Sequence, residues 1–457
     1  MNKNIFRAYD IRGIYPADLD QETARLIAKG YISYLIRKHG LQSPEIVVGK
    51  DNRPHGIELQ DAFVSGLLEH GAQVSKVEDC TSPMLYFAVC DGGFDGGVSI
   101  TASHNPGEYN GFKLLGKMAH SIAGDEIQEI LKLIQNEDFE STSEGSIQEI
   151  SIEEAYTDKI SSLVQPKRSL RVVVDAGNGI AGKYYPNVLR RMGCEVMELY
   201  CEQDGSFPNH EPDPVVEANT EDLKKAVQDH QANLGIAFDG DGDRCAIIDE
   251  KGQYYDANET FVLLIRDILS RHAGSSVIYT VSNSLIIPDE IRKHGGVPKM
   301  VPVGHSFVEQ AMTKTGALLG GEQSGHFFIA EDYFGFDDAC YTAARLIEII
   351  AGSETTTSSL YSTIPRTFSY PEFRLDCPDD QKFEIVRRIT EELQKNHPCV
   401  TIDGVRAEFE DGAWLGIRAS NTAPKLSVLM EAKTENELEK IKKTATALLA
   451  VEGIVMN

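Results

Sequence analysis

EIVVGKDNRPHG (45–56) runs into LLEHGAQVSKV (67–77), and the same plan returns twice further along the chain. RVVVDAGNGIAG (171–182) leads to LRRMGCEVMEL (189–199), and SVIYTVSNSLIIP (276–288) leads to IRKHGGVPKMV (291–301). Each unit is a short β-branched run, a turn, a helical stretch, then Gly and a second apolar run. That is a strand–helix–strand unit, and its recurrence sets the architecture. The leading strand of each unit is too apolar to have a wet face, as a parallel strand covered on both sides must be. Downstream of each unit a further strand ends in a polar loop: GGVSI-TASHNP (96–106), LGIAF-DGDGDR (234–244) and ALLG-GEQSGH (317–326). Ligands of open α/β sheets collect beyond the carboxyl ends of the strands. Three such loops facing one cleft would build a composite site.

The C-terminal segment follows another rule. FRLDCPDDQKFEIVRRITEELQKN (373–396) starts as a strand and continues as an amphipathic helix. VTIDGVRAEFEDGAWLGIRASNTAPKLSVLMEAK (400–433) reads as several strands with turns, and a helix over 435–450 closes the chain. The expected fold class is therefore α/β: three tandem similar domains with mixed, mainly parallel sheets, plus a C-terminal α+β domain with an antiparallel sheet. The polar stretches NEDFESTSEGS (136–146) and SETTTSSLYSTIP (353–365) help to place the boundaries. The expected domains are 1–149, 150–254, 255–366 and 367–457.

A chain of 457 residues is too long for one ordinary core, in keeping with three or four domains. Its formal charge of -26 repels nucleic acid and anionic membranes, so neither is an expected partner. An anionic substrate would have to be held by local Arg, Lys and backbone N–H groups against that field. No run reaches the ~18 apolar residues of a membrane span. The start, MNKNIFRAYDIRG, has no apolar h-region, so no secretory signal is expected. The eight cysteines are scattered without a CxxC pair, which fits reduced core thiols and a cytoplasmic location.

DGDGDR places Asp239, Asp241 and Asp243 at alternate positions after an apolar strand. Three such carboxylates can converge on one hard cation, Mg²⁺ or Ca²⁺ rather than zinc. An EF-hand is excluded, because Arg244 stands at the sixth position, where that loop needs Gly, and CAII (245–248) continues as a strand. In TASHNP, Ser103 can serve as a nucleophile, with His104 and Asn105 as adjacent donors. A Ser-His hydrolase is not expected, since neighbouring residues at a strand end point apart and no GxSxG elbow exists. RASNTAP (418–424) offers Arg418, Ser420, Asn421 and Thr422, a set suited to a phosphate dianion. GEQSGH offers Glu322 and Ser324 at alternate positions, a pair that can bind vicinal sugar hydroxyls. Taken singly, each of these loops also reads as a capped or solvated turn. Gly177, Gly179 and Gly182 form GxGxxG after a strand, with Glu198 further on, which matches a dinucleotide fingerprint. An NAD-dependent oxidoreductase is the competing reading, and it leaves DGDGDR without a role.

The four loops together, in this order and spacing, resemble the α-D-phosphohexomutase family and its phosphomannomutase/phosphoglucomutase group. FRAYDIRG (6–13), TASHNPGEYNGFK (101–113), DGDGDR, VGHSF (303–307), GEQSGHFF, DYFGFDDACYTAARLIEI (332–349) and RASNTAP all carry the likeness, which spans nearly the whole chain. The resemblance implies four domains around a central cleft, and a phosphoserine at Ser103. It implies Mg²⁺ on Asp239, Asp241 and Asp243, with a phosphoserine oxygen as fourth ligand and Arg244 alongside. Glu322 and Ser324 would bind the sugar's 3- and 4-hydroxyls. Arg418, Ser420, Asn421 and Thr422 would hold the phosphate that is not reacting. Tyr9, Arg12, Lys113, His305 and His326 would line the cleft, with Lys113 and His326 near the reacting oxygen. The implied reaction moves phosphate between the 1- and 6-positions of mannose or glucose phosphates through a 1,6-bisphosphohexose. Glucose or mannose 1,6-bisphosphate would be the activator, and the protein a monomer or small homo-oligomer.

Three positions depart from the pattern. Ser282 stands where many relatives have Lys, Ala423 where Glu is usual, and Gln323 where Met or Glu is common. Gln is frequent in the phosphoglucosamine mutase branch, whereas SNT in the phosphate loop and VGHSF argue against that branch. A binding homologue that has lost activity is the remaining alternative, and every expected catalytic position is intact.

Overall fold

The structure, a computed structural model, describes residues 1–142, 144–420 and 424–456. The chain divides into two compact units. The first comprises Met1–Leu264 with Ser324–Tyr361, and the second Ile265–Gln323 with Ser362–Asn457.

The first unit opens with β1 (Ile11–Ile14), α1 (Gln21–His39), β2 (Glu45–Lys50), α2 (Gly56–Glu69), β3 (Gln73–Lys76), α3 (Ser82–Asp91), β4 (Gly96–Ile100), β5 (Tyr109–Leu115), α4 (Asp125–Gln135) and β6 (Ser146–Glu149). These strands form one sheet in the order β1-β5-β4-β2-β3-β6. β4, β2, β3 and β6 run parallel, while β5 and β1 turn antiparallel at the edge. The apolar reading of β2 and β4 is explained by helices over the sheet, which leave Ile46, Val48, Val98 and Ile100 fully buried. Local chemistry sets the helix ends. Asp20 caps α1 by accepting from the Thr23 N–H, and Gly40 closes it at φ 65°. Thr81 caps α3, with Pro83 in the first turn.

The chain continues through α5 (Glu153–Leu163), β7 (Arg171–Asp175), α6 (Ala181–Arg191), β8 (Glu195–Leu199), α7 (Glu221–Asp229), β9 (Leu234–Phe238), β10 (Cys245–Asp249) and β11 (Tyr254–Tyr255). Here β9, β7 and β8 are parallel, and β10 and β11 extend the sheet antiparallel. α8 (Ala257–Arg271) follows.

In the second unit, β12 (Ser276–Thr280) lies between and parallel to β13 (Val297–Val301) and β14 (Leu319–Gly321), with α9 (Ile286–Lys293) and α10 (His305–Thr315) between them in sequence. β15 (Phe327–Ile329), α11 (Ala339–Gly352) and α12 (Thr357–Tyr361) belong to the first unit. DYFGFDDACY does structural work there. Asp338 caps α11 through the Tyr341 N–H and accepts hydrogen bonds from the Tyr156 and Tyr333 hydroxyls. Phe336 packs edge-on against Tyr86 of α3. Burial raises the Asp338 carboxyl to about 6.

The second unit ends in an antiparallel sheet of β16 (Phe368–Ser369), β17 (Phe373–Asp376), β18 (Cys399–Val400), β19 (Val405–Glu408), β20 (Trp414–Ala419) and β21 (Lys425–Ala432). α13 (Lys382–Leu393) and α14 (Glu435–Val451) cover it. Three α/β domains with mostly parallel sheets and a C-terminal α+β domain are thus present. All eight cysteines are free thiols. Among the described residues, no helix is long and apolar enough to cross a membrane.

Candidate active site

The site in the first unit is built from the ends of β4 and β9. Just beyond β4, Thr101 Oγ1 donates to Asp51 Oδ2 at 2.7 Å and accepts from the Ser103 N–H at 2.8 Å. Ser103 has φ 51°, a conformation that few non-glycine residues adopt. This turn corrects the extended-strand expectation. It brings His104 Nδ1 to 3.3 Å from Ser103 Oγ instead of sending the two side chains apart. The hydroxyl's shorter contact, 2.9 Å, is to Asp239 Oδ2.

DGDGDR folds tightly because Asp239 Oδ1 accepts three backbone N–H groups, from Gly242, Asp243 and Arg244, at 3.0–3.1 Å. Gly242 makes the turn at φ 78°. Asp239, Asp241 and Asp243 are all buried, and each offers an oxygen within 4.8 Å of the others. Lys113 Nζ, from β5, reaches Asp241 Oδ2 at 2.6 Å and Asp243 Oδ2 at 2.5 Å. Ser82 Oγ, at the start of α3, donates to Asp241 Oδ2 at 2.7 Å. Among the described residues, no hydrogen bond reaches Asp241 Oδ1 or Asp243 Oδ1. Buried carboxylate oxygens without donors are what a hard cation takes, so this cluster can hold a metal ion.

The electrostatics follow from burial and neighbours. Burial, then Asp243 and Asp241, raises Asp239 well above the usual carboxylate range. Burial also opposes charge on Asp243, but Lys113 and then His326 outweigh it and hold that carboxyl well below its ordinary value. Despite burial, Asp241 and Asp243 hold the Lys113 ammonium well above its ordinary value. Lys113 is therefore a fixed cation here.

Arg244, His326, Ser324, Arg12 and His104 gather around the same point. Arg244 donates from Nε to Asp239 Oδ2 at 3.0 Å and pairs with Asp213 at 3.3 Å. His326 pairs backbone to backbone with Arg244, and its Nε2 lies 3.5 Å from Asp243 Oδ1. Ser324 Oγ lies 2.9 Å from His326 Nδ1. Arg12 on β1 donates to Asn105 Oδ1 at 2.8 Å and to Asp10. His104 titrates well below its ordinary value, through burial and then the nearby Arg244 and Arg12 charges. Tyr9 lies half-buried just before β1.

In the second unit, Glu322 is buried at the end of β14 and accepts the Gly304 N–H at 3.1 Å, which brings it beside His305 at the start of α10. Arg418 is on β20, half-buried, 4.0 Å from Glu372. Ser420 follows it, its carbonyl accepting from Lys382 Nζ at 2.6 Å. Asn421 and Thr422 lie outside the described residues. Ser282, at the end of β12, bonds its own turn through Thr280 Oγ1.

The dinucleotide reading of GNGIAG fails on geometry. The N–H groups that would cradle a pyrophosphate are spent: Gly177 on Asp175, Asn178 on Tyr200, Gly179 on Ala176 and Ile180 on Gly240. A Cβ at Gly182 would lie 2.4 Å from the Cys201 carbonyl oxygen, so this glycine serves packing within the chain. Sequence reasoning missed Asp51, Arg53, Ser82 and Asp213. The first two were readable as a charged Asp-x-Arg pair at the carboxyl end of a repeat strand; the last two gave no local signal.

Four family models match in order: phosphoglucomutase/phosphomannomutase alpha/beta/alpha domain I over residues 3–141, domain II over 154–252, domain III over 256–368, and the C-terminal domain over 372–448. This chain belongs to the phosphoglucomutase/phosphomannomutase family. It is 38% identical to a phosphomannomutase/phosphoglucomutase of Pseudomonas putida, over 98% of this chain and 96% of that protein. It is also 38% identical to a phosphoglucomutase of Neisseria gonorrhoeae, over 98% and 97%. A crystal structure of a phosphoglucomutase/phosphomannomutase family protein from Burkholderia thailandensis superimposes with a TM-score of 0.92 at 35% identity, covering 99% of this chain and 98% of that one. The matched segments of this α-D-phosphohexomutase family include all four loops.

Proposed function

We propose that this chain interconverts the 1- and 6-phosphates of mannose and glucose through a phosphoserine at Ser103. The chain is a hexose-phosphate mutase, an isomerase. The observation that carries the phosphoserine reading is the Ser103 hydroxyl 2.9 Å from Asp239 within a buried set of three carboxylates flanked by Lys113, Arg244 and His326.

Phosphoryl transfer asks for positioning and charge neutralisation more than covalent work. Mg²⁺ held by Asp239, Asp241, Asp243 and a phosphoserine oxygen would supply Lewis-acid neutralisation at the phosphoryl group. Lys113, fixed as a cation, and Arg244 neutralise the equatorial oxygens. His326 takes the proton of the attacking sugar hydroxyl. The bond from phosphorus to Ser103 Oγ breaks as the bond to the sugar oxygen forms. The product of that half-reaction is the 1,6-bisphosphohexose. It reorients and returns its other phosphoryl group to Ser103. Arg12, Tyr9, His104 and Asn105 line the reacting end. Glu322, Ser324 and His305 read the sugar, and Arg418, Ser420, Asn421 and Thr422 hold the distal phosphate. Glucose or mannose 1,6-bisphosphate primes the serine.

Mannose and glucose differ only in the orientation of the 2-hydroxyl. Glu322 and Ser324 are assigned to hydroxyls that the two sugars share, so discrimination is modest. The amino group of glucosamine phosphate meets His305 rather than a carboxylate. The test is kcat/KM for mannose, glucose and glucosamine 1-phosphates under one set of conditions. The first two should fall within about tenfold of each other and well above the third. Preference for the amino sugar would overturn the substrate assignment.

A further inference from the structure

Arg53 sits just past β2, and its side chain is fully buried. Its guanidinium makes a set of bonds directed at one loop. Nη2 donates to the carbonyl oxygens of Ser103 and Asn105, each at 2.7 Å. Nη1 donates to those of Pro106 at 2.7 Å and Tyr109 at 2.9 Å. Nε donates to Asp51 Oδ2 at 3.0 Å, and the other face of this network is Thr101, which also holds the Ser103 N–H. The Phe207 ring covers the guanidinium at 5.1 Å. One planar cation thus gathers four carbonyls of the segment between Ser103 and the start of β5. A fork of fixed donors does this, and a single ammonium cannot.

The metal loop also comes close to the Ser103 carbonyl. A Cβ added at Gly240, inside the metal loop, would stand 2.4 Å from the Ser103 carbonyl oxygen. Ser103 is thereby fixed between Arg53 and the loop that carries Asp239, in the unusual φ 51° conformation that aims Oγ at Asp239. A buried arginine is tolerated only where its donors find partners. Spending it on the carbonyls of this loop makes sense only if the loop's position matters.

We propose that Arg53 is a positioning residue for phosphoryl transfer: it holds Ser103 in line with the metal loop without touching the substrate. The proposal rests on Ser103 being the phosphorylated residue. Its signature is a slow chemical step in properly loaded subunits. The experiment prepares Arg53→Lys, Gly240→Ala and Ser103→Ala. Each variant is treated with labelled glucose 1,6-bisphosphate, the phosphate bound per subunit is counted, and the rate at which each phosphorylated subunit discharges to glucose 1-phosphate is measured.

Arg53→Lys should discharge about 100-fold more slowly per phosphorylated subunit, with KM within about threefold of wild type, because misplacement of about 1 Å is worth that much. Gly240→Ala crowds the same carbonyl and should show the same split. It carries the test where Arg53→Lys does not accumulate as folded protein, and circular dichroism reports on folding in both. Discharge at the wild-type rate per phosphorylated subunit in these variants, with only the loadable fraction reduced, would mean that Arg53 merely stabilises the fold and would overturn the inference. Ser103→Ala should neither load nor turn over. Turnover by that variant would instead refute the phosphoserine reading.

Discussion

Replacing Lys113 by Met keeps the stem and removes the ammonium. That ammonium lies 2.6 Å from Asp241 and 2.5 Å from Asp243, with both carboxylates buried and the lysine side chain 10% exposed. At an effective dielectric of ~20, each pair is worth about 6 kcal/mol of attraction. Desolvating the three charges returns most of this, and removing one member of such a buried group typically leaves a loss of about 3–5 kcal/mol. At roughly 2–4 °C per kcal/mol for a domain-sized cooperative unit, the first thermal transition should fall by about 10 °C in chelator. The bare carboxylates of the variant then gain more from a cation than the wild-type set does. Mg²⁺ at ~100 times its dissociation constant contributes about 2.7 kcal/mol, and should return more than half of the lost midpoint. The assay is calorimetry of both proteins in chelator and in Mg²⁺. If Lys113→Met melts at the wild-type temperature in chelator, or if Mg²⁺ shifts both proteins equally, the coupling between Lys113 and the metal loop is wrong.

Asp338→Asn should flatten part of the pH dependence of stability. Burial raises the folded-state carboxyl to about 6 from an unfolded value near 3.8, so the folded state binds the extra proton. That contribution is fully present below the unfolded value and is lost as pH rises through the folded one, by about 3 kcal/mol. The difference in denaturation midpoint, wild type minus variant, should therefore drop between pH 4 and pH 7; a constant difference would contradict the assignment. Glu322→Gln keeps an acceptor for the Gly304 N–H, so thermal stability should hold. Its kcat/KM should fall by about 10–100-fold, the scale of a charged hydrogen bond to a sugar hydroxyl, and unchanged steady-state kinetics would remove Glu322 from the sugar site.

The fold class was legible because its signals are local and repeated. Apolar strands, a following helix and a loop at the strand end recur within short windows, and parallel pairing of buried strands needs no further information. The C-terminal sheet was legible as several short strands separated by turns. The metal loop was legible too, because all three carboxylates fall within five residues. What composes the rest of the site is long-range. Ser103 and Asp239 are 136 residues apart, and Ser82 and Asp241 159. No pattern in either segment announces the other. Only the resemblance of all four loops to one family joined them. The contact between Ser103 and His104 was misjudged because an extended strand end was assumed, while the chain turns at φ 51°. Arg53 stood in the sequence only as part of a charged Asp-x-Arg pair, with nothing to say what it holds. Its partners are backbone carbonyls, and these leave no trace in side-chain composition.

The central claim is that one serine carries the phosphoryl group. Purified protein incubated with glucose 1,6-bisphosphate and Mg²⁺ should gain the mass of a single phosphoryl group. Peptide mapping should place it on Ser103, and adding hexose monophosphate should remove it at the rate of turnover. A phosphoryl group on any other residue, or full turnover with none ever bound, would contradict the account.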